Sequence, residues 1–169
     1  MATIPAGVRK RAGRISVLVL DVDGVMTDGR LYYGSRGEAL KVFHVHDGFG
    51  IKQLQRLGVH VAIVSGRRSA AVTQRARELG ISLVHQGIDE KLPVVRKIAK
   101  ACKVGLAQCA CLGDDRPDVP VMRAVGLGVA VANAHGDALA AAHYVTQRSG
   151  GHGAVRELCD ILIALRAAE

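Results

Sequence analysis

Residues 15–29 read ISVLVLDVDGVMTDG, a short apolar run that leads directly into three aspartates. A continuous apolar run of this length is typical of a strand buried on both faces of a parallel sheet. Asp21 and Asp23, two positions apart where the run ends, leave a strand on the same side, and Gly24 allows the chain to turn sharply after them. The stretch therefore predicts a buried first strand whose carboxyl end presents a pair of carboxylates.

The rest of the chain alternates further apolar runs with helical patterns. The other predicted strands cover residues 59–64, 81–85, 109–112 and 127–132. The predicted helices cover residues 48–57, 69–79, 90–103, 118–125, 135–142 and 154–168. Such alternation is typical of α/β proteins, in which helices cover both faces of one parallel sheet. We therefore expect a three-layer, doubly wound, Rossmann-like sheet within one domain, a size that 169 residues fit.

One segment interrupts this alternation. Residues 30–44 hold the sequence GSRG at 34–37 between two short β-like stretches, which predicts a β-hairpin. Four of the five aromatic residues lie in it or beside it: Tyr32, Tyr33, Phe43 and Phe49. An isolated hairpin has little to pack against, so these residues form either a small local cluster or a contact between subunits.

Composition excludes several classes of protein. Apolar residues make up 49% of the chain and charged residues 22%, which excludes intrinsic disorder. No apolar run approaches the roughly 20 residues that span a bilayer, and no secretory leader opens the sequence. The four cysteines are too few and too scattered for a disulfide framework. We expect a cytoplasmic protein with no membrane partner.

The distribution of charge argues against a nucleic-acid partner. The formal net charge is +8, and four basic residues lie in 9–14, so we expect residues 1–14 to form a flexible basic leader before a domain over 15–169. Five aromatic residues are too few for a base-stacking platform. Six of the fifteen acidic residues lie in two short segments, 21–28 and 114–118, which indicates a bound cation.

Four polar clusters follow predicted strands, where ligands of open α/β sheets bind. They are the segment 21–28, Ser65-Gly66-Arg67, Lys91 and the segment 113–118. Carboxylates from two strand ends would repel one another unless a hard divalent cation such as Mg²⁺ lay between them. A phosphate brought to that cation could be attacked in line by one aspartate while a second transfers the proton. The order of the clusters predicts phosphoryl transfer.

These motifs resemble those of the haloacid dehalogenase superfamily of phosphatases: D-x-D-G-V-x-T-D-G, then Ser, then Lys, then G-D-D-x-x-D. From about residue 15 to the end, the chain is most similar to the family of 3-deoxy-D-manno-octulosonate 8-phosphate phosphatases. The similarity includes FHVHDGFGI at 43–51, DVPVM at 118–122, VAVANAH at 129–135 and GGHGAVRE at 150–157. It implies a Mg²⁺-dependent hydrolase of that sugar-acid phosphate, acting in lipopolysaccharide precursor synthesis.

The resemblance also implies a role for individual residues. Asp21 would be the nucleophile that forms an aspartyl-phosphate, and Asp23 the general acid and base. Mg²⁺ would be held by Asp21, Asp23 and Asp114, with Asp115 and Asp118 orienting the metal site. Ser65 and Lys91 would hold the phosphate. The residues implied to face the substrate are Asp23, His44, Val45, His46, Asp47, Gly48, Lys52, Arg67, Arg75 and Lys91.

The family has no cap domain, and the resemblance implies a homotetramer formed through the hairpins. The glycine-rich segment 149–153, ahead of the helix 154–168, would reach the active site of a neighbouring subunit. His46 and His152 stand where these enzymes commonly carry basic residues, which leaves the exact sugar acid open.

Three alternatives remain. A phosphatase for a nine-carbon, sialic-acid-like 9-phosphate would share the whole core. A nucleic-acid-binding phosphatase would need a basic track and stacking aromatics. A non-catalytic regulatory protein on the same fold would have no need of Asp21, Asp23, Lys91 and Asp114 together.

Overall fold

The structure is a computed structural model that describes residues 4–35 and 37–166. Its strands are β1 (Val17–Leu20), β2 (Tyr32–Gly34), β3 (Gly37–Leu40), β4 (His60–Ser65), β5 (Leu83–Gln86), β6 (Cys109–Gly113), β7 (Leu127–Ala130) and β8 (Tyr144–Val145). Its α-helices are α1 (Ala6–Ala12), α2 (Val45–Arg56), α3 (Ala70–Leu79), α4 (Lys91–Ala101), α5 (Val119–Ala124), α6 (Gly136–Ala141) and α7 (Ala154–Arg166). Short 3₁₀ turns cover Leu106–Gln108 and Arg116–Asp118.

A six-stranded parallel sheet forms the middle layer, in the order β5-β4-β1-β6-β7-β8. The first strand lies between β4 and β6, and all four of its residues are buried. Leu18 and Leu20 pack in one apolar cluster with α1, α2, α3 and α7, whereas Val17 and Val19 pack in another with α4, α5 and α6. This arrangement confirms the predicted three-layer fold with a hairpin insertion.

The predicted flexible leader is wrong for residues 6–12, which form α1. Val8 and Ala12, four residues apart on one face of the helix, are buried in the apolar cluster that also contains α7. The Arg11 Nη1 donates a hydrogen bond to the Gly126 carbonyl oxygen at 2.8 Å. The basic residues of this segment dominate its composition, and its two buried apolar positions were therefore overlooked. Residues 6–12 pack as part of the domain. Residues 1–3 lie outside the described residues.

Several element boundaries differ from the predicted ones. The first long helix begins at Val45 rather than residue 48, because the His44 ring Nδ1 accepts a hydrogen bond from the His46 N–H at 3.2 Å and caps the helix. The hairpin strands are shorter than 30–44 and form a separate two-stranded sheet. The strand β8 has two residues and was not predicted. Within the described residues, no helix is both long enough and apolar enough to cross a membrane.

Candidate active site

The predicted residues Asp21, Ser65 and Asp114 lie at the carboxyl edge of the sheet. The parallel register pairs Leu20 with Ile63 and with Leu112, so β1, β4 and β6 end within two residues of one another. Asp21 follows β1, Ser65 closes β4, and Asp114 follows β6. Strand-end positions that lie far apart in the sequence therefore face one volume.

Lys91 is the first residue of α4, and its side chain is buried between two carboxylates. Its Nζ lies 2.8 Å from the Asp21 Oδ1 and 2.7 Å from the Asp118 Oδ1. Burial alone would lower the pKa of Lys91, but the charges of Asp21 and Asp118 outweigh it and raise the pKa. The ammonium group is therefore fixed and charged at neutral pH.

Asp118 orients its neighbours and has no oxygen left uncommitted. Its Oδ1 accepts the hydrogen bond from Lys91, and its Oδ2 accepts from the Asp114 N–H at 3.1 Å and the Asp115 N–H at 3.5 Å. Oxygen atoms of Asp21, Asp114 and Asp118 lie within 4.8 Å of one another. The side chains best placed to share a cation are therefore those of Asp21 and Asp114.

The electrostatics of this cluster fit a divalent cation. Burial, reinforced by the charge of Asp118, raises the pKa of Asp21 to about 6. Burial and the charges of Asp21 and Asp118 raise the pKa of Asp114 to about 8. Lys91 alone does not neutralise this group of carboxylates, and oxygen donors of this kind suit Mg²⁺.

A glycine makes the close approach of the two acidic loops possible. Gly24 has φ +91°, and a Cβ atom there would lie 2.1 Å from the Asp114 Oδ2. Any larger residue would push the Asp114 carboxylate away from the loop that follows β1. The backbone conformation at Gly24 thus leaves room for the Asp114 carboxylate to lie beside the loop that carries Asp21.

Asp23 lies between two basic side chains. The Lys41 Nζ contacts its Oδ1, and the Arg67 Nε lies 3.7 Å from its Oδ2. Glu38 forms ion pairs with both basic side chains: its Oε2 lies 3.0 Å from the Lys41 Nζ and 3.3 Å from the Arg67 Nη2. Burial opposes ionisation of Glu38, but hydrogen bonds from Ser69 and Lys41 prevail and lower its pKa.

Glu38 and Lys41 were not among the predicted site residues. The only signal in the sequence is that two charged residues three positions apart lie in a hairpin otherwise rich in apolar residues. Ser65 and Arg67 were predicted, and both lie at this edge: the buried Ser65 Oγ accepts a hydrogen bond from the Arg67 N–H at 3.4 Å.

The other predicted substrate residues form a separate group at the start of α2. Asp47 is buried, and its Oδ1 accepts a hydrogen bond from the Arg156 N–H at 2.8 Å. Burial raises the pKa of Asp47. Arg75 packs so closely on Gly48 that a Cβ atom there would lie 2.3 Å from its Nη2. Val45, His46 and Lys52 are exposed.

This second group is not joined to the acidic cluster within one chain. Across residues 4–35 and 37–166, no hydrogen bond or ion pair links residues 44–48, Lys52 or Arg75 to Asp21, Asp23 or Lys91. The two groups are therefore held by separate sets of hydrogen bonds and ion pairs.

The side chain of Asp115 does not contact the acidic cluster. It is exposed, and its Oδ1 accepts a hydrogen bond from the Arg116 N–H at 2.7 Å, which caps the 3₁₀ turn Arg116–Asp118. The Asp115 carboxylate is therefore committed to capping, whereas that of Asp118 turns inward, and a role of Asp115 in orienting the metal site stays a prediction.

The glycine-rich segment packs on its own chain. The Gly151 N–H donates to the Val25 carbonyl oxygen at 3.0 Å, and the Gly150 N–H donates to the Asn133 Oδ1 at 2.9 Å. A Cβ atom on Gly150 would lie 1.6 Å from the Gly24 oxygen. Its glycines therefore serve a close backbone contact within the subunit, and the reach of 149–153 into a neighbouring active site stays a prediction.

Comparisons with known proteins agree with this geometry. The haloacid dehalogenase-like hydrolase family matches residues 81–158. The 3-deoxy-D-manno-octulosonate 8-phosphate phosphatase of Yersinia pestis is 47% identical over 154 residues, which cover 91% of this chain and 82% of that protein. The same phosphatase of Escherichia coli strain K12 is 44% identical over 160 residues, covering 95% and 85%.

Solved structures give the same result. The crystal structure of the Yersinia pestis phosphatase has a TM-score of 0.95 and 45% identity, covering 97% of this chain and 89% of that one. The phosphatase from Moraxella catarrhalis, solved in complex with a magnesium ion, a phosphate ion and a KDO molecule, has a TM-score of 0.92 and 39% identity, covering 95% and 92%.

Proposed function

The chain belongs to the 3-deoxy-D-manno-octulosonate 8-phosphate phosphatase family of haloacid dehalogenase-like hydrolases, and from this membership we propose how it acts. It is a phosphatase that uses Mg²⁺ to hydrolyse 3-deoxy-D-manno-octulosonate 8-phosphate to the sugar acid and phosphate. The observation that carries the proposal is the buried ammonium of Lys91 between Asp21 and Asp118, with Asp114 beside them.

Asp21 and Asp23 divide the chemistry between them. Asp21 attacks phosphorus, forming an O–P bond as the bond from phosphorus to the sugar O8 breaks, and Asp23 gives its proton to that leaving oxygen. Asp23 then takes a proton from water, which attacks phosphorus and frees Asp21. Lys91 holds the charged phosphate oxygens throughout, with Ser65 beside it.

The cation would be held by the carboxylates of Asp21 and Asp114 and by the backbone carbonyl of Asp23. When bound, Mg²⁺ offsets the repulsion between the carboxylates and the incoming phosphate. Asp118 supports the site indirectly, because it fixes Lys91 and the backbone N–H of Asp114.

The assembly is a homotetramer formed through the hairpins. An apolar surface runs from the hairpin to the start of α2, and exposed patches of this kind mark interfaces. It consists of Leu31, Tyr32, Tyr33, Leu40, Val42, Val45 and Phe49. The group around residues 44–48 and Arg75 borders this surface, and within the described residues no hydrogen bond or ion pair joins it to Asp21 of its own chain. We therefore assign that group to the sugar acid bound in a neighbouring subunit.

The protein works in the cytoplasm. Cys102, Cys109, Cys111 and Cys159 are all free thiols, and cysteines stay reduced in that compartment.

Turnover of two substrates side by side tests the proposed function. With Mg²⁺, kcat/KM for the eight-carbon 8-phosphate should exceed that for a nine-carbon, sialic-acid-like 9-phosphate by about 10-fold or more, the discrimination that a few pocket contacts provide. The reverse preference would assign the enzyme to the nine-carbon acid. Absence of phosphate release from both substrates would overturn the function itself.

A further inference from the structure

The β-hairpin reaches the active site of its own subunit through one buried lysine. Lys41 follows β3, and its side chain is only 2% exposed, although Tyr33 on the paired strand is 63% exposed. The Lys41 Nζ contacts the Asp23 Oδ1 and lies 3.0 Å from the Glu38 Oε2. A buried ammonium between two carboxylates is costly to place without both partners, so this contact is specific.

We propose that Lys41 is a positioning residue for proton transfer, which holds the Asp23 carboxylate toward the leaving oxygen. The proposal rests on the proposed function, in which Asp23 is the general acid and base. It gives the hairpin a part in the reaction of its own subunit besides any contact between subunits.

The geometry shows how the carboxylate is held. Lys41 contacts one oxygen of Asp23, and Arg67 lies 3.7 Å from the other, so rotation of the carboxylate plane is opposed from both sides. Glu38 forms ion pairs with both Lys41 and Arg67 through its Oε2. Its Oε1 accepts a hydrogen bond from the Ser69 Oγ at 2.7 Å. The hairpin and the start of α3 thus fix one proton-transfer group.

The leaving group distinguishes a positioning role from a merely structural one. An alkoxide such as the sugar O8 leaves only when it receives a proton, whereas p-nitrophenolate leaves without one. The ratio kcat/KM reports the steps up to release of the alcohol or phenol. Loss of Lys41 should therefore impair the sugar-acid phosphate far more than p-nitrophenyl phosphate.

The decisive variant is Lys41→Met, compared with wild type on both substrates. We expect kcat/KM for the sugar-acid phosphate to fall about 100-fold, the low end of general-acid contributions, and that for p-nitrophenyl phosphate to fall less than about 3-fold. Lys41→Arg, which keeps the charge, should recover most of the loss. Equal losses on the two substrates, or no loss on the sugar-acid phosphate, would overturn the proposal.

A double-mutant cycle gives a second test that needs only the sugar-acid phosphate. If Lys41 acts through Asp23, Lys41→Met should change the residual rate of Asp23→Asn by less than about 2-fold. If Lys41→Met lowered the rate of Asp23→Asn by the same factor as it lowers that of wild type, the proposal would be contradicted. Glu38→Gln leaves Lys41 in place and replaces Lys41→Met if that variant does not fold. Its kcat/KM should fall about 10-fold for the sugar-acid phosphate and stay unchanged for p-nitrophenyl phosphate.

Lys100→Met is the matched control, because this exposed lysine lies nine residues beyond Lys91, roughly 13 Å along α4. It should match wild type on both substrates. Failure of the proposed function has a different signature: wild type would then release no phosphate from the octulosonate ester. The Lys41 variants would in that case be compared on the alkyl phosphate that wild type hydrolyses fastest.

Discussion

At the scale of single residues, the site is a problem of charge. Asp21, Asp114 and Asp118 crowd around one ammonium group, that of Lys91, in a setting that burial makes unfavourable for ions. Asp118 is compensated by its hydrogen bonds, whereas Asp21 and Asp114 carry raised pKa values. The negative charge of Asp21 and Asp114 that Lys91 does not compensate is the reason that a cation fits this edge of the sheet.

This charge imbalance gives a pH dependence for the metal-free protein. The folded-state pKa values of Asp21 and Asp114 exceed their unfolded values, so the native state binds more protons than the unfolded chain between about pH 4 and pH 8. The contribution of these two groups to stability in EDTA should therefore be greatest at or below about pH 4, and Tm should fall by several degrees as the pH rises from there toward pH 8. Thermal melts should show Mg²⁺ raising Tm more at pH 8 than at pH 5.5. An equal increase at both pH values would contradict the cation assignment.

Adjacent aspartates should behave differently when replaced. Asp114→Ala should lose the Mg²⁺-dependent rise in Tm and more than about 100-fold in kcat, since it removes a carboxylate that faces the cation. Asp115→Ala should stay within about 10-fold of wild type and cost at most about 1–2 kcal/mol, because that side chain only caps a turn. Mg²⁺ titration and phosphate release measure both effects. Similar losses in the two variants would mean that Asp115 also orients the metal.

At the scale of elements, two short segments act on the acidic loop that follows β1. The glycine-rich segment lies against its backbone, and the hairpin contacts Asp23 through Lys41. Neither contact could be predicted from hydrophobic periodicity or strand-end position. A sequence pattern shows that a glycine or a lysine is present, whereas its partner depends on how distant segments fold back onto β1.

The glycine contact predicts a steric effect. Gly150→Ala would bring a Cβ atom to 1.6 Å from the Gly24 oxygen, so the loop that carries Asp23 must move. We expect a loss of about 1–3 kcal/mol in unfolding free energy, the usual cost of overpacking, together with a drop in kcat. Gly136→Ala is the matched control, because a Cβ atom there meets nothing within 4 Å. Chemical denaturation should separate the two, and equal stabilities would show that the segment is free to move.

The hairpin surface predicts a change in assembly. Leu31→Glu introduces a charge on the apolar surface, where Leu31 is 44% exposed, and should shift the tetramer to smaller species in sedimentation at micromolar concentration. Leu57→Glu is matched in chemistry and in exposure, at 46%, but follows the far end of α2 and should leave the assembly unchanged. A wild-type monomer, or equal behaviour of both variants, would contradict assembly through the hairpins.

At the scale of the whole molecule, the sequence was sufficient for five of the six strands of the main sheet and for the core of the site. Buried strands have strong apolar signals, and parallel strands bring their carboxyl ends to one edge, so Asp21, Ser65, Lys91 and Asp114 could be placed together in advance. The surroundings of the substrate could not, because within the described residues no hydrogen bond or ion pair joins the residues around His44 to Asp21. In the proposed assembly these residues face the substrate of a neighbouring subunit, and no local sequence pattern predicts such a contact.

The assignment of Asp21 as the nucleophile of a Mg²⁺-dependent octulosonate 8-phosphate phosphatase is open to a direct test. Phosphate release from that ester is compared between wild type and Asp21→Asn. Wild type should turn over with Mg²⁺ and stop in EDTA, and Asp21→Asn should fall by at least about 10⁴-fold, since removal of a nucleophile abolishes the covalent route. Mg²⁺ should still raise the Tm of the variant, because Asp114 and the shape of the loop remain. An Asp21→Asn enzyme that keeps more than a few per cent of the wild-type rate would contradict the account.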